Sequence, residues 1–299
     1  MRKIRVYQVD AFTDKKFSGN AAGVVLDGDE LSVKEMQHIA AELNQSETVF
    51  LLKTKHHGAD YKVKYYTPKE EINFCGHATV ALGWLLATHF RYGEIANEII
   101  LETNIGLVPL TLIKEEQRVV QIEMTQIAPE IKEINMHQTE AASLLGIQAE
   151  DIHDDYPIKL ASTGNWHLLI PVKNQSAIDH AKPNFTALAD HNRKYGISTT
   201  HLFTFQTDEA EYDLYTRDFL PAIGLQEDPV TGAANGALAG YLMKEGFLDA
   251  KMPHHLTIGQ GNAMGRPGTL HVNVEMKNNQ PVVKVAGSAV VVMEGTLML

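Results

Sequence analysis

Cysteine is nearly absent. Cys75 is the one cysteine in 299 residues, which excludes an intramolecular disulfide and any metal centre built from several thiolates. Positive charge is in deficit, with 26 lysines and arginines against 37 acidic side chains. The net charge of −11 argues against nucleic acid or an anionic membrane as the main partner. A local cationic pocket for a small anion remains compatible with it. Long apolar runs are missing too, and none reaches the roughly 18–20 residues that a membrane-spanning helix needs. The opening MRKIRVYQVDAF is charged and alternating, so it reads as a strand, not as a targeting peptide. No Walker motif and no HExxH occurs. The adjacent pairs His56-His57 and His254-His255 would point apart on a strand, which speaks against a metal site there. A cytoplasmic protein is expected.

What is present is ordinary for a globular chain: 44% hydrophobic and 21% charged residues, in a length suited to one large or two medium domains. IRVYQVDAF, AAGVVL, ETVFLLK and YKVKYYT read as strands. SVKEMQHIAAEL reads as a helix opened by a Ser32–Glu35 capping box. The stretch after Cys75, GHATVALGWLL, has no polar face. A helix apolar all round must be buried all round. TQIAPEIKEINMHQTE lacks periodicity and reads as an interdomain linker. The second half repeats the plan, with NWHLLIPV, HLFTF and EYDLYTRDF as strands and NFTALADHNRKYG as a helix. A second all-apolar helix, GAANGALAGYLM, follows.

The two halves can be superimposed. SGNAAGVVL from Ser18 resembles TGNWHLLIPV from Thr163, and CGHATVALGWLL from Cys75 resembles TGAANGALAGYL from Thr231. Two matches in the same order, at similar offsets, indicate an internal duplication. Each half then has strands and one helix without a solvent-tolerant face, and a sheet curled around that helix would bury it. Each such helix starts with glycine, where backbone N–H groups and the dipole attract anions.

Several side chains are chemical candidates. A thiol at a helix start has a lowered pKa, so Cys75 reads either as a reactive group or as a small buried hydrophobe. A two-thiol racemase needs a partner thiol at the duplicated position. That position is Thr231, whose hydroxyl is far too weakly acidic, so the mechanism is excluded. His77 lies in the first helical turn, where the dipole disfavours the imidazolium. It reads as a neutral donor to a substrate oxygen or as a filler of a polar gap. Glu47, at the entrance of a strand, is either a desolvated general base or a surface glutamate. Arg217 offers a fork for a carboxylate, and Asp228 caps a turn or contacts a ligand. IGQGNAMGRPG is a loop between strands, since no helix opens on its glycines.

Taken together, DAFTDKKFSGNAAGVV, NQSETVF, FCGHAT, RDFLPAIGLQEDPVTGAA, QGNAMGRP and VAGSAVVVMEGTL resemble the phenazine-biosynthesis-like (PhzF-like) family, in family order and over essentially the whole chain. The resemblance implies an α+β, diaminopimelate-epimerase-like fold: two similar, pseudo-twofold-related domains, each a barrel-like, mostly antiparallel sheet around a central apolar helix. Residues 1–127 with a returning C-terminal strand, 288–299, would form the first domain and 128–287 the second, with the active site in the cleft between them. It implies Glu47 as the proton-shuttling base and Gly76, His77, Asp228 and Gly232 as substrate contacts, with Ala233 where the family usually has serine. Asn20, Cys75 and Arg217 are further possible site residues. A homodimer, a small carboxylated substrate and no metal or organic cofactor are also implied.

The expected activity is therefore a cofactor-independent isomerase that moves a proton by general acid/base catalysis. The alternatives are a one-thiol epimerase using Cys75 and a non-catalytic dimer that binds a small anion.

Overall fold

The structure is a computed structural model that describes residues 1–299. The chain divides into two compact units, Met1–Thr125 with Ala286–Leu299, and Gln126–Val285.

The first unit begins with β1 (Lys3–Ala11) and β2 (Asn20–Val25), an antiparallel pair. α1 (Val33–Leu43) carries the chain over to β3 (Glu47–Leu52), which runs parallel to β2. A parallel step needs such a crossover. Ser32 caps α1, and the Ser32–Glu35 capping box is formed in both directions. β4 (Tyr61–Tyr66) is antiparallel to β3 and carries a short branch, β5 (Glu71–Ile72). α2 (Gly76–Trp84) crosses over to β6 (Glu98–Thr103), parallel to β4. β7 (Gly106–Glu115) and β8 (Arg118–Thr125) follow as antiparallel neighbours, and the C-terminal strand, Ala289–Met298, pairs antiparallel with β1.

Side-chain alternation along the strands separates two layers. Phe50 and Tyr66 pack towards Met36, Ile39 and Ala40 of α1. The Tyr65 hydroxyl meets Thr79 of α2 at 2.7 Å. α2 touches β1, β2, β3, β8 and the C-terminal strand. The last two lie at opposite ends of the strand order, so the sheet bends around the helix. Its small residues allow this closeness. A Cβ on Gly83 would stand 2.8 Å from Leu110 Cδ1.

The second unit repeats the pattern. Its strands are β9 (Glu130–Glu133), β10 (Lys159–Ser162), β11 (Trp166–Pro171), β12 (Thr199–Thr204), β13 (Leu214–Phe219), β14 (Glu227–Asp228), β15 (His254–Gln260), β16 (Gly268–Lys277) and β17 (Gln280–Gly287). Its helices are α3 (Gln138–Leu145), α4 (Gln175–Asp179), α5 (Phe185–Tyr195) and α6 (Gly232–Lys244). β9–β10–β11 are antiparallel, β12 is parallel to β11, β13 is antiparallel to β12 with β14 as a branch, β15 is parallel to β13, and β16 is antiparallel to β15. This is, step for step, the order from the C-terminal strand to β7 in the first unit. α6 is enclosed like α2, against β9, β10, β11 and β16.

One sequence expectation fails here. The supposed linker, from Thr125 to Glu140, contains β9 and the start of α3. β9 is a short edge strand whose charged residues are mostly exposed, so it shows no apolar alternation. Pro129 beside it packs so closely on α6 that a Cβ on Gly240 would lie 2.4 Å from the ring.

The core of the second unit holds a polar cluster. Thr199 Oγ1 donates to Asp218 Oδ1 at 2.6 Å, and His201 Nδ1 lies 3.0 Å from the same oxygen. His167 Nδ1 meets Thr199 Oγ1 at 2.8 Å, and its Nε2 has no partner. Because the threonine proton is committed to Asp218, His167 donates through Nδ1, and the ring is held neutral. Burial lowers its pKa from 6.5 to about 4; Asp218 works against that shift and His201 adds to it. The unfolded chain therefore binds more protons between those values, and stability falls as the pH drops from 6.5 towards 4. Urea denaturation across this window should show the wild type losing up to about 3 kcal/mol relative to His167→Gln. Parallel pH profiles for the two proteins would refute this role.

Candidate active site

The parallel β2–β3 step sets two strand starts side by side, and α2 begins at the same end. Asn20 opens β2, Glu47 opens β3, and Gly76 and His77 open α2. The Asn20 amide lies 3.2 Å from His77 Nδ1. With the amide donating, Nε2 becomes the ring's donor towards Glu47, whose Oε2 is 3.3 Å away. Both side chains are mostly buried, at 8% and 17% exposure. Burial raises the Glu47 pKa above the usual carboxylate range, and hydrogen bonds from Ser46 and Cys75 oppose the rise. Cys75 is the N-cap residue of α2, but its side chain makes no capping bond. Its Sγ turns instead to His77, 3.5 Å from Nδ1. At Gly76 an added Cβ would meet only Met124, at 3.8 Å, so the backbone there is uncrowded. The group can accept a proton, hold it in a shielded place and return it.

The start of α6 is organised differently. Thr231 Oγ1 donates to Asp228 Oδ2 at 2.6 Å. Thr163 Oγ1 donates to the Ala233 carbonyl at 3.0 Å. Asp228, Gly232 and Ala233 are half-buried. Arg217 does not present a fork to a ligand. Its Nε and Nη2 each meet a Glu227 carboxylate oxygen at 2.8 Å, and its Nη1 donates to the Ile178, Asp179 and Ala181 carbonyls. The side chain is buried, stacked on Phe219, and is a structural ion pair.

Gln260 escaped the sequence reading because it lies in a glycine-rich loop sequence far from the motifs it serves. It is fully buried at the end of β15. Its Oε1 accepts from the Thr231 N–H at 3.1 Å and from the Asn235 amide at 2.8 Å. Its Nε2 donates to the Asp228 carbonyl at 2.9 Å and to Thr231 Oγ1 at 3.2 Å.

Comparison with known proteins gives one coherent result. A family model described as phenazine biosynthesis-like protein matches residues 9–295. An uncharacterized isomerase of Clostridium acetobutylicum is 35% identical over 304 residues, covering 100% of this chain and 99% of its own. The trans-2,3-dihydro-3-hydroxyanthranilate isomerase of Pseudomonas chlororaphis is 30% identical over 292 residues, with 97% and 98% covered. The crystal structure of a Bacillus anthracis phenazine biosynthesis protein of the PhzF family matches with a TM-score of 0.91 at 32% identity, covering 100% of both chains.

Gln260→Met keeps the volume and removes every hydrogen bond of the amide. It takes away the amide partner of the Thr231 N–H and of the Asp228 carbonyl and one of the two acceptors of the Asn235 amide, whose bond to the Thr231 carbonyl remains. The variant should lose about 3 kcal/mol in urea denaturation with an unchanged m value. A loss below about 0.5 kcal/mol would mean that these groups find other partners.

Proposed function

The chain belongs to the phenazine biosynthesis-like family and is an isomerase, and we propose that it moves a proton on a small carboxylated metabolite with Glu47 as the base and without a cofactor. The observation that supports this most directly is the Glu47–His77 pair: a shielded carboxyl of raised pKa, 3.3 Å from an imidazole nitrogen at a helix start. Glu47 as carboxylate takes a proton from an acidic carbon. Now neutral, and exchanging its proton with solvent between the two steps, it delivers a proton to a neighbouring carbon of the same molecule, so substrate and product are isomers. The raised pKa makes this carboxylate a stronger base than an exposed one. Once Glu47 is protonated it is a poorer acceptor, and the His77 Nε2–H released from it, with the backbone N–H groups at Gly76, stabilises the negative charge that develops on substrate oxygens during transfer.

Asp228, Gly232 and Ala233 are carried as substrate contacts, and a homodimer as the assembly, on the family resemblance alone. Alanine at 233 lacks the hydroxyl of the usual serine. This chain therefore holds its substrate with one donor fewer there, and the substrate of the Pseudomonas enzyme is one candidate among several. A second reading has an observation in its favour. Cys75 Sγ lies 3.5 Å from the His77 ring, which can take its proton, and a one-thiol epimerase would set this thiol opposite another acid such as Asp228.

Proton exchange in D₂O, followed by NMR, separates the two readings. The panel is trans-2,3-dihydro-3-hydroxyanthranilate and other small carboxylated compounds with acidic C–H bonds. The wild type should introduce deuterium, Glu47→Gln should fold normally and lose about 10²–10⁴ in rate, and Cys75→Ala should retain the activity. Wild-type turnover in Glu47→Gln would remove Glu47 from the mechanism. Loss confined to Cys75→Ala would establish the thiol instead.

A further inference from the structure

We infer that Glu47, Cys75 and His77 form a binding site for Zn²⁺, which occupies the place of the transferred proton and silences the base. One ligand atom from each of the three side chains lies within 4.8 Å of the other two. One of the detailed distances already matches a metal site. His77 Nε2 is 3.3 Å from Glu47 Oε2 and 3.9 Å from Cys75 Sγ. Around tetrahedral zinc, with bonds of about 2.0 Å to nitrogen and oxygen and about 2.3 Å to sulfur, those separations are about 3.3 Å and about 3.5 Å. The Glu47–His77 separation fits as it stands, whereas Sγ, 3.5 Å from Nδ1 and so beside the ring, has to swing about its Cα–Cβ bond by roughly 1 Å or more to reach an ion on Nε2.

The donor set is selective. Thiolate, imidazole and carboxylate together suit zinc and cobalt, whereas magnesium and calcium prefer oxygen alone. Three protein ligands leave a fourth position for water. All three stand on the starts of regular elements, one on β3 and two at the head of α2, so little chain entropy is lost in assembling them. A second shell is also at hand. When Nε2 binds the ion, Nδ1 carries the ring proton and needs an acceptor. Asn20, 3.2 Å from Nδ1, supplies one by turning its amide over to present Oδ1. The thiol proton leaves to solvent as the ion enters, and no oxidation state changes.

Metal binding rests on the clustering of the three donors and on that swing of the thiol. Its inhibitory effect rests on the reading of Glu47 as the base, and the two can fail separately. The test is titration of the metal-free full-length protein with Zn²⁺ by calorimetry, and with Co²⁺ by absorption. One ion per chain is expected, with a sulfur-to-cobalt charge-transfer band. Cys75→Ser should abolish the band, and Cys75→Ser, Glu47→Gln and His77→Gln should each weaken Zn²⁺ binding at least tenfold, with circular dichroism confirming that they fold. No stoichiometric binding, or binding that all three variants leave unchanged, overturns the site. If Zn²⁺ binds as described and suppresses proton exchange, with chelator restoring it, both parts hold. If it binds and exchange continues unchanged, the site stands and the inhibition falls.

Discussion

Each unit depends on enclosing one helix that has no face for water. In α2, Ala78, Thr79, Val80, Ala81 and Leu82 are all fully buried, although they point in every direction around the axis. Only a sheet that bends around the helix can cover them, and only small residues let strands approach so closely. The enclosure leaves the helix one open end. Polar chemistry is then confined to the N-terminal turn and to the strand starts beside it. The position of Glu47, His77 and Asn20 is thus a consequence of burying the rest of α2.

The repeated frame shows how differently two units can use one geometry. Ala22 pairs with Glu47 in the first unit, and His167 pairs with Thr199 at the same place in the second. Continuing the register, Val49 pairs with Tyr65 where His201 pairs with Asp218. The Tyr65–Thr79 hydrogen bond of the first unit gives way in the second to Asp218, His201 and Asn235. One device is kept at both sites. Thr79 bonds the Cys75 carbonyl four residues back, and Asn235 bonds the Thr231 carbonyl in the same way. Polar groups therefore gather near the start of both helices. In the first unit they include a carboxyl that remains partly open. In the second, Thr199 stands at the strand start, Asp218, His201 and Asn235 are sealed in the core, and the half-buried Asp228 is engaged by Thr231. A single base, and not a symmetric pair, is what this asymmetry favours.

The sequence made the frame legible because apolar helices, strand alternation and the capping box are local signals. The duplication was readable for the same reason, as its two matches fall on β2 with α2 and on β11 with α6. Contacts were not readable. Glu47 looks, in its own stretch, like any glutamate before a strand. Its burial comes from the parallel step that brings α2 over it. Arg217 appeared available because its partner, Glu227, lies ten residues on, across the β13–β14 pairing. β9 was lost in a charged stretch because its pairing, not its composition, makes it a strand. Gln260 had no signal, since its role is defined entirely by what surrounds it.

Helix capping links the frame to its chemistry. The side chains of Ser32, Asn174 and Asn184 close the starts of α1, α4 and α5 by accepting backbone N–H groups. The two central helices are not closed in this way. Cys75 makes no cap bond at α2, and the Thr231 hydroxyl is turned to Asp228. A side-chain cap is worth about 1 kcal/mol, so both helices forgo a readily available stabilisation. Serine or aspartate at position 75 would supply that cap and occupy a first-turn donor. A weakly polar cysteine does not compete for those N–H groups. On this argument the value of Cys75 to the proposed reaction is what it leaves free: the positive end of α2, facing the same space as Glu47, where charge on a substrate oxygen would develop.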